Sequence, residues 1–399
     1  IVSSSLTVTR NLTSSLGAIH LKSSDNIIVQ AGSSTSSKTN IQTGGGDITL
    51  QSDSDGNNDG YVWIQNFSNI SNGSGSGNIL ISGGTTPATG FATAASGDGD
   101  HRPGLHLGAF TTVPGYAQGI TLASGTGNLT LRGKAIGNAA GRGVLLPLAS
   151  TDANKSSLTG ANITIVGESA GLNTWYGIEI GNHGGVSATN VRTLFNATGT
   201  LALTGTSSNF DGVGAWGNFE FIGNRITVTG SGPRRPAAMF DSATAPSSVA
   251  AGLGGFTFSA TKSGTVGNED AVVQPGSFSS TGSVSLVFDA STSTVAALTV
   301  GAPISATNTA VTVRSNNVSL TGSINAGTGA VKFEPFTSSR AITAGTEVAG
   351  TLSLTAAELG TITASTLRLE TGGNLDVTSN LTFTNKVSTL AIRAGGNVS

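Results

Sequence analysis

One phrase recurs along this chain with small changes. It stands as "GNLTLRG" at residues 127 to 133, with variants "GDITLQS" from Gly46, "GNILISG" from Gly77, "ANITIVG" from Ala161, "NRITVTG" from Asn224, "NNVSLTG" from Asn316, "GNLDVTS" from Gly373 and "SNLTFTN" from Ser379. Leu129 and Leu131 face one way and Thr130 and Arg132 the other, because successive side chains of a strand alternate faces. The flanking glycine, asparagine and serine supply turn conformations, positive φ included, at little steric cost. The unit is a strand of about 4 to 6 residues ending in a turn. Helical periodicity is nearly absent, "TAAELG" at Thr355 being the nearest candidate.

Strands this short and this numerous leave two architectures, a row of antiparallel sandwiches or one coil whose turns stack. The apolar positions are mostly small aliphatics, which suits a narrow coil interior, and asparagines at the corners can stack as side-chain ladders about 4.8 Å apart. The expectation is an all-β parallel β-helix, with residues 1–399 forming one continuous β-solenoid. At roughly 20 to 25 residues per turn it holds about 16 to 20 layers and reaches about 75 to 95 Å. Irregular spacing of the phrase places loop extrusions near 82–118, 133–143 and 230–255, and the most regular layers in 341–399.

Composition narrows the function. Of 399 residues 10% are charged, the net charge is -2 and there is no run of lysine or arginine, so the electrostatic footprint of a nucleic-acid binder is missing. Arg234 and Arg235 in "GPRRPA" are the densest basic spot and read as a solvated turn. The chain has no cysteine, which excludes disulfides and thiolate metal sites and suits an exported surface protein. No apolar stretch reaches the roughly 18 residues that span a bilayer, so no membrane insertion is expected. The chain starts and stops in mid-pattern and reads as a processed protein or a segment of a longer one.

The run "GTLSLTAAELGTITASTLRLETGGNLDVTSNLTFTNKVSTLAIRAGGNVS" resembles the central repeats of the filamentous-haemagglutinin-like exoproteins of Gram-negative bacteria, and the looser repeats upstream are similar. The resemblance implies a right-handed parallel β-helix, export by two-partner secretion through an outer-membrane β-barrel partner, and adhesion to surfaces or other cells. The family's "NPNG"-type secretion signal has no counterpart here, so the expected part is the shaft. The partners expected are host, cell-surface or glycan receptors, with a secreted or cell-surface location. The alternatives are a filament or coat built by end-to-end self-association and, as the third reading, a β-helical polysaccharide-degrading enzyme.

No residue is assigned to catalysis, to a cofactor or to a metal, although several strings were weighed. Asp98, Asp100, His101 and Arg102 in "GDGDHRPG" put four ionisable groups in one loop, and the same string is an ordinary Gly-Asp turn. Asp55, Asn57, Asp59 and Gly60 match the opening of a calcium loop, but its closing glutamate is replaced by Asn66. Outward threonines (Thr49, Thr121, Thr130, Thr164, Thr227, Thr312, Thr382) could line a flat ice-binding face, which Gln51, Arg132, Val166 and Arg314 would roughen. Asn-x-Ser/Thr triplets at Asn11, Asn66, Asn69, Asn72, Asn128, Asn162, Asn196, Asn317 and Asn380 are candidate glycan acceptors. Trp63, Trp175, Trp216, Tyr61, Tyr176 and Tyr116 either stack on sugar rings or fill corners.

Overall fold

The computed structural model describes residues 2–34, 36–95, 102–108, 119–136, 140–146, 155–171, 174–181, 193–217, 219–240, 247–264, 269–290, 296–383 and 386–399. Every ladder between strands in this set is parallel, and antiparallel pairing is confined to single bridges at Ser34–Ser37 and Gly60–Thr93. The chain is a parallel β-helix with three faces. An eleven-stranded sheet makes face one, from Leu6–Val8 through Tyr176–Gly181 to Val318–Leu320. A 23-stranded sheet makes the other two, because the long strands Thr193–Ser207, Phe219–Gly232 and Ser248–Lys262 run through the corner between them. Register shifts at Ala197/Thr200 and Gly223/Arg225 mark that corner.

Each layer buries alternate residues, and like stacks on like. Ile27, Val62, Leu105, Val144 and Ile178 form one fully buried column of face one. Ile48, Ile79, Leu129, Ile163 and Leu201 form another on face three. The expectation of small aliphatics holds for these layers and gives way in the middle of the shaft, where Phe195, Phe219, Phe221, Phe256, Phe258 and Phe278 fill the interior. Face one carries Val213, Ala215, Ala237 and Ala271 at about this height, with Met239 between Ala215 and Val273, so large rings from two faces meet mostly smaller residues on the third. The rings meet edge-on, with centroids 5.1 Å apart for Phe195–Phe221 and 4.9 Å for Phe256–Phe278.

Asparagines do form ladders, at a corner for Asn78, Asn128 and Asn162 and along a strand face for Asn40 and Asn69. The Asn69 amide donates to Asn40 and the Asn40 amide to Asn11, while Asn162 donates to Asn128 and Asn128 to Asn78, whose backbone N–H in turn donates to Asp47. Each amide satisfies a neighbour that would otherwise be left unpaired.

The layers are fewer than expected. Face one continues past its eleven strands through Ile342–Gly345 and Leu375–Val377, giving a shaft of about 60 Å at the spacing of stacked strands. The reason is uneven turn length: one turn takes 20 residues from Leu298 to Val318 and 43 from Val62 to Leu105. The stretches expected to leave the coil also contribute to it. Ala92–Ala94 and Leu105–Leu107 lie within 82–118, Gly133–Ala135 pairs within 133–143, and Ala237–Phe240 lies within 230–255.

The stretch expected to be most regular is interrupted. Leu352–Thr355 is an extra strand that pairs in parallel with Ile342–Gly345, on the opposite side from Leu375–Val377. The nearest helical candidate, "TAAELG", follows as the short helix Ala356–Leu359, closed by a capping box between Thr355 and Glu358. The eleven-stranded ladder ends there, and the backbone N–H of Leu320 donates to Glu358 Oε1 at 2.9 Å.

Candidate functional site

The glycine that closes the repeated phrase prepares the most heavily functionalised part of the molecule. Gly133, Gly167, Gly205 and Gly230 stack in register as an inward column of face three. Opposite them the chain enters face one through Gly143, Gly177, Gly212 and Pro236. A Cβ on Gly133 would stand 2.2 Å from the Gly143 carbonyl oxygen, and one on Gly167 2.0 Å from that of Gly177. On Gly205 and Gly230 the distances to the Gly212 and Pro236 oxygens are 2.2 Å and 2.0 Å. None of the four is among the residues with positive φ, so close backbone approach, not turn geometry, requires glycine here. The coil narrows to a thin rim, and bulky side chains are displaced to its outer edge.

On that edge arginines and rings stack on one another up the shaft. The Arg102 guanidinium lies 5.0 Å from the Tyr61 ring centroid and donates to its hydroxyl at 2.9 Å. Arg142 lies 4.8 Å from the Trp175 ring, Trp175 stacks on Phe210 at 6.0 Å, and Arg234 covers Phe210 at 3.9 Å. Trp175, Phe210 and Arg234 are joined by backbone hydrogen bonds through Asp211 N–H and Arg234 N–H. Each cation–ring contact contributes about 0.5 to 2 kcal/mol, depending on how dry it is.

Beside this edge, the outward side of face one is buried and charged. Arg142 and Glu179 pair at 2.5 Å with side chains 4% and 1% exposed, and Arg142 also donates to the Ala140 carbonyl. His106 stacks parallel to Trp63 at 5.9 Å. Burial, with Arg142 and Arg102 nearby, pulls its pKa down to about 3, so the ring is neutral. Asp211 is fully buried and accepts the Arg235 backbone N–H at 3.0 Å. Burial pushes its carboxyl up to about 7 although Arg235 and Arg234 oppose the shift. Arg235 reaches Glu269 at 2.5 Å and Asp211 only at 3.8 Å, and Arg234 holds Glu269 at 2.6 Å. Lys262 Nζ donates to the carbonyls of Pro233 and Arg234. Burial also raises the Tyr176 hydroxyl.

Perturbed groups cluster at functional sites and in structural ion networks alike. Here the geometry is that of a network. The indoles weighed between sugar stacking and corner filling are engaged from within: Trp63 by His106, Trp175 between Arg142 and Phe210, Trp216 by the edge of Tyr176 and by Arg235 at 5.4 Å. Tyr61 and Tyr176 are buried. The corner-filling alternative describes these aromatics. Arg234 and Arg235, read as a solvated turn, are instead the cationic centre of this network, because glycine and proline spacing places them against Phe210, Trp216 and Glu269. Sequence reasoning missed the network because its members are separated by whole turns of unequal length. The available signal was an arginine or aromatic residue within three positions before each face-one strand from Val62–Ile64 to Ala237–Phe240.

The other candidates disperse. Asp98, Asp100, His101 and Tyr116 lie outside the described residues, and Arg102 belongs to the rim. In the calcium-like loop the Asn57 amide donates to Asp55 and its side-chain oxygen accepts the Asp59 N–H, so Asp55, Asn57 and Asp59 form a self-bonded turn. Burial and the charges of Asp25 and Asp55 raise Asp59. Among the described residues no three acidic or histidine side chains converge as a metal would need. Thr49, Thr130, Thr164, Thr227 and Thr312 share one column of face three, broken by Leu80 and Ala202; Thr121 lies on face two and Thr382 outside the strands. Among the glycan-acceptor candidates Asn72 is buried and donates to the Gly77 carbonyl, while Asn69, Asn128 and Asn162 use their amides in the ladders.

Comparison with protein-family models, with curated proteins and with solved structures finds no match to this chain.

Proposed function

We propose that this chain is the shaft of a non-enzymatic adhesin, exported to the cell surface, that holds binding surfaces away from the cell and contacts other cells or glycans weakly at many points along its length. The single observation that supports this reading is the ladder itself: parallel pairing runs layer on layer from Val2 to Val398. Such a stack is a stiff spacer whose outward rows repeat at the layer spacing. The aromatic rings are absorbed into the body, which suits a shaft better than a lectin-like pocket. The resemblance noted from the repeats adds an outer-membrane secretion partner to this reading.

Beads coated with the chain test it. They should attach to cells or glycan-coated surfaces above beads coated with an unrelated protein. A chain with residues 298–317 removed, one whole turn in register, should fold and attach as well. Absence of attachment, together with release of reducing ends from a polysaccharide, would favour the enzyme reading.

A further inference from the structure

Near the end of face three the outward residues change from hydroxyls to charges. Arg314 pairs in register with Glu334, and Glu370 with Arg393; Glu334 and Glu370 follow the paired Phe333 and Leu369, so the four make one column. Lys332 and Arg368 stand beside it in the next column. Arg314, Glu334, Glu370 and Arg393 line a concavity of about 560 Å³ together with Ser338, and Lys332 and Arg368 contact the two glutamates from outside its lining. The cluster of six therefore sets four cations against two carboxylates, in a chain whose net charge is -2.

The carboxylates are already served. Lys332 holds Glu334 at 2.8 Å and stands 3.9 Å from Glu370, while Arg314 lies 3.9 Å from Glu334 and 4.8 Å from the Phe336 ring. Arg368 is half exposed and reaches Glu370 only at 3.8 Å. Arg393, which is exposed, makes no hydrogen bond or ion pair with the described residues. The groove therefore holds surplus positive charge at guanidinium groups, whose planar donors match carboxylate or sulfate oxygens. Arg314 and Arg393 are three layers apart, about 14 Å along the shaft.

We infer that this groove binds a segment of anionic polysaccharide lying along the shaft, with acidic groups at Arg393 and Arg314 and sugar hydroxyls donating to Glu334 and Glu370. The inference rests on the adhesin reading and names the ligand class that one part of the shaft takes.

The test uses the full chain on immobilised polygalacturonate, dextran sulfate and neutral dextran. The wild type is expected to bind one or both polyanions and not dextran, and the better of the two identifies carboxylate or sulfate as the group recognised. Arg393→Glu should weaken binding about tenfold, and Arg314→Ala with Arg393→Glu further, while Arg10→Glu with Arg225→Glu, exposed arginines elsewhere, should stay within about twofold. Thermal unfolding of Arg393→Glu is expected to match the wild type, since this side chain holds nothing. Equal losses in the groove and control variants, equal binding to dextran, or no binding to either polyanion would overturn the inference. Loss of polyanion binding in Arg393→Glu with cell attachment intact would separate the groove from the shaft's other contacts; a wild type that binds polyanion but does not attach to cells would count against the adhesin reading and not against the groove.

Discussion

At the scale of single residues, the closing glycine of each phrase has a steric cause. Gly205→Ala would force its new carbon against the Gly212 carbonyl oxygen, and a cost of about 3 kcal/mol is expected in denaturant unfolding. Gly360→Ala, at φ -68 with its nearest contact at 3.2 Å, should cost less than about 1 kcal/mol; equal losses would contradict the seam. The buried titratable groups give a second expectation, with opposing signs. His106 has its pKa lowered from 6.5 to about 3, so the unfolded chain takes the proton first and the stability it contributes is lost as pH falls below 6.5. Asp211 is raised from 3.8 to about 7, so the folded chain takes that proton first and gains stability as pH falls from 7 towards 3.8. The two slopes, each about 1.4 kcal/mol per pH unit at most, nearly cancel in the wild type between about pH 6 and 4. Thermal melts should uncover them separately: His106→Phe becomes more stable on acidification and Asp211→Asn less. Parallel profiles for the two variants would remove both groups from the account.

At the scale of elements, the strands were legible because alternation is a local signal, whereas the short helix was only a nearest candidate and the Thr355–Glu358 capping box that closes it went unread. The corner ladder of asparagines was legible for the same reason as the strands, since the residue that turns the chain also stacks. The glycine seam was half legible: Gly133, Gly167, Gly205 and Gly230 stand out in the text of the repeats, but the oxygen that excludes a side chain comes from a segment six to ten residues on, and nothing local announces it. The arginine–aromatic edge was illegible, because Arg142, Trp175, Phe210 and Arg234 come together only once turns of unequal length have been wound. The extra strand Leu352–Thr355 was illegible too, as its sequence is an ordinary copy of the phrase. Its ties to the main ladder include Glu358, which accepts from the backbone N–H groups of Leu320 and Thr355, and Arg340, which donates to Asn317 Oδ1 and to the Thr351 carbonyl. Glu358→Ala should speed amide exchange about tenfold at Leu320 and across 352–359, with Val331 and Leu367 unchanged. Uniform protection would mean that the join is carried by something else.

At the scale of the whole molecule, the column order makes a stack in which each layer touches its neighbours and little else, so stability should be local and nearly additive along the shaft. Interior volume is balanced between faces, phenylalanine on two against mostly smaller residues on the third, which is why a composition poor in aromatics can still fill the coil. Everything rests on parallel, in-register layers, and a chain without cysteine allows that to be tested cleanly. Thr227 and Thr257 are register partners on adjacent strands, while Thr227 and Ser285 lie two layers apart. Paired cysteines at 227 and 257, about 4.8 Å apart along the shaft, fall within the reach of a disulfide; the pair at 227 and 285, about 10 Å apart, does not. The account predicts that under mild oxidation Thr227→Cys with Thr257→Cys crosslinks nearly completely within the monomer and Thr227→Cys with Ser285→Cys does not; crosslinking in the second pair and not the first would contradict it.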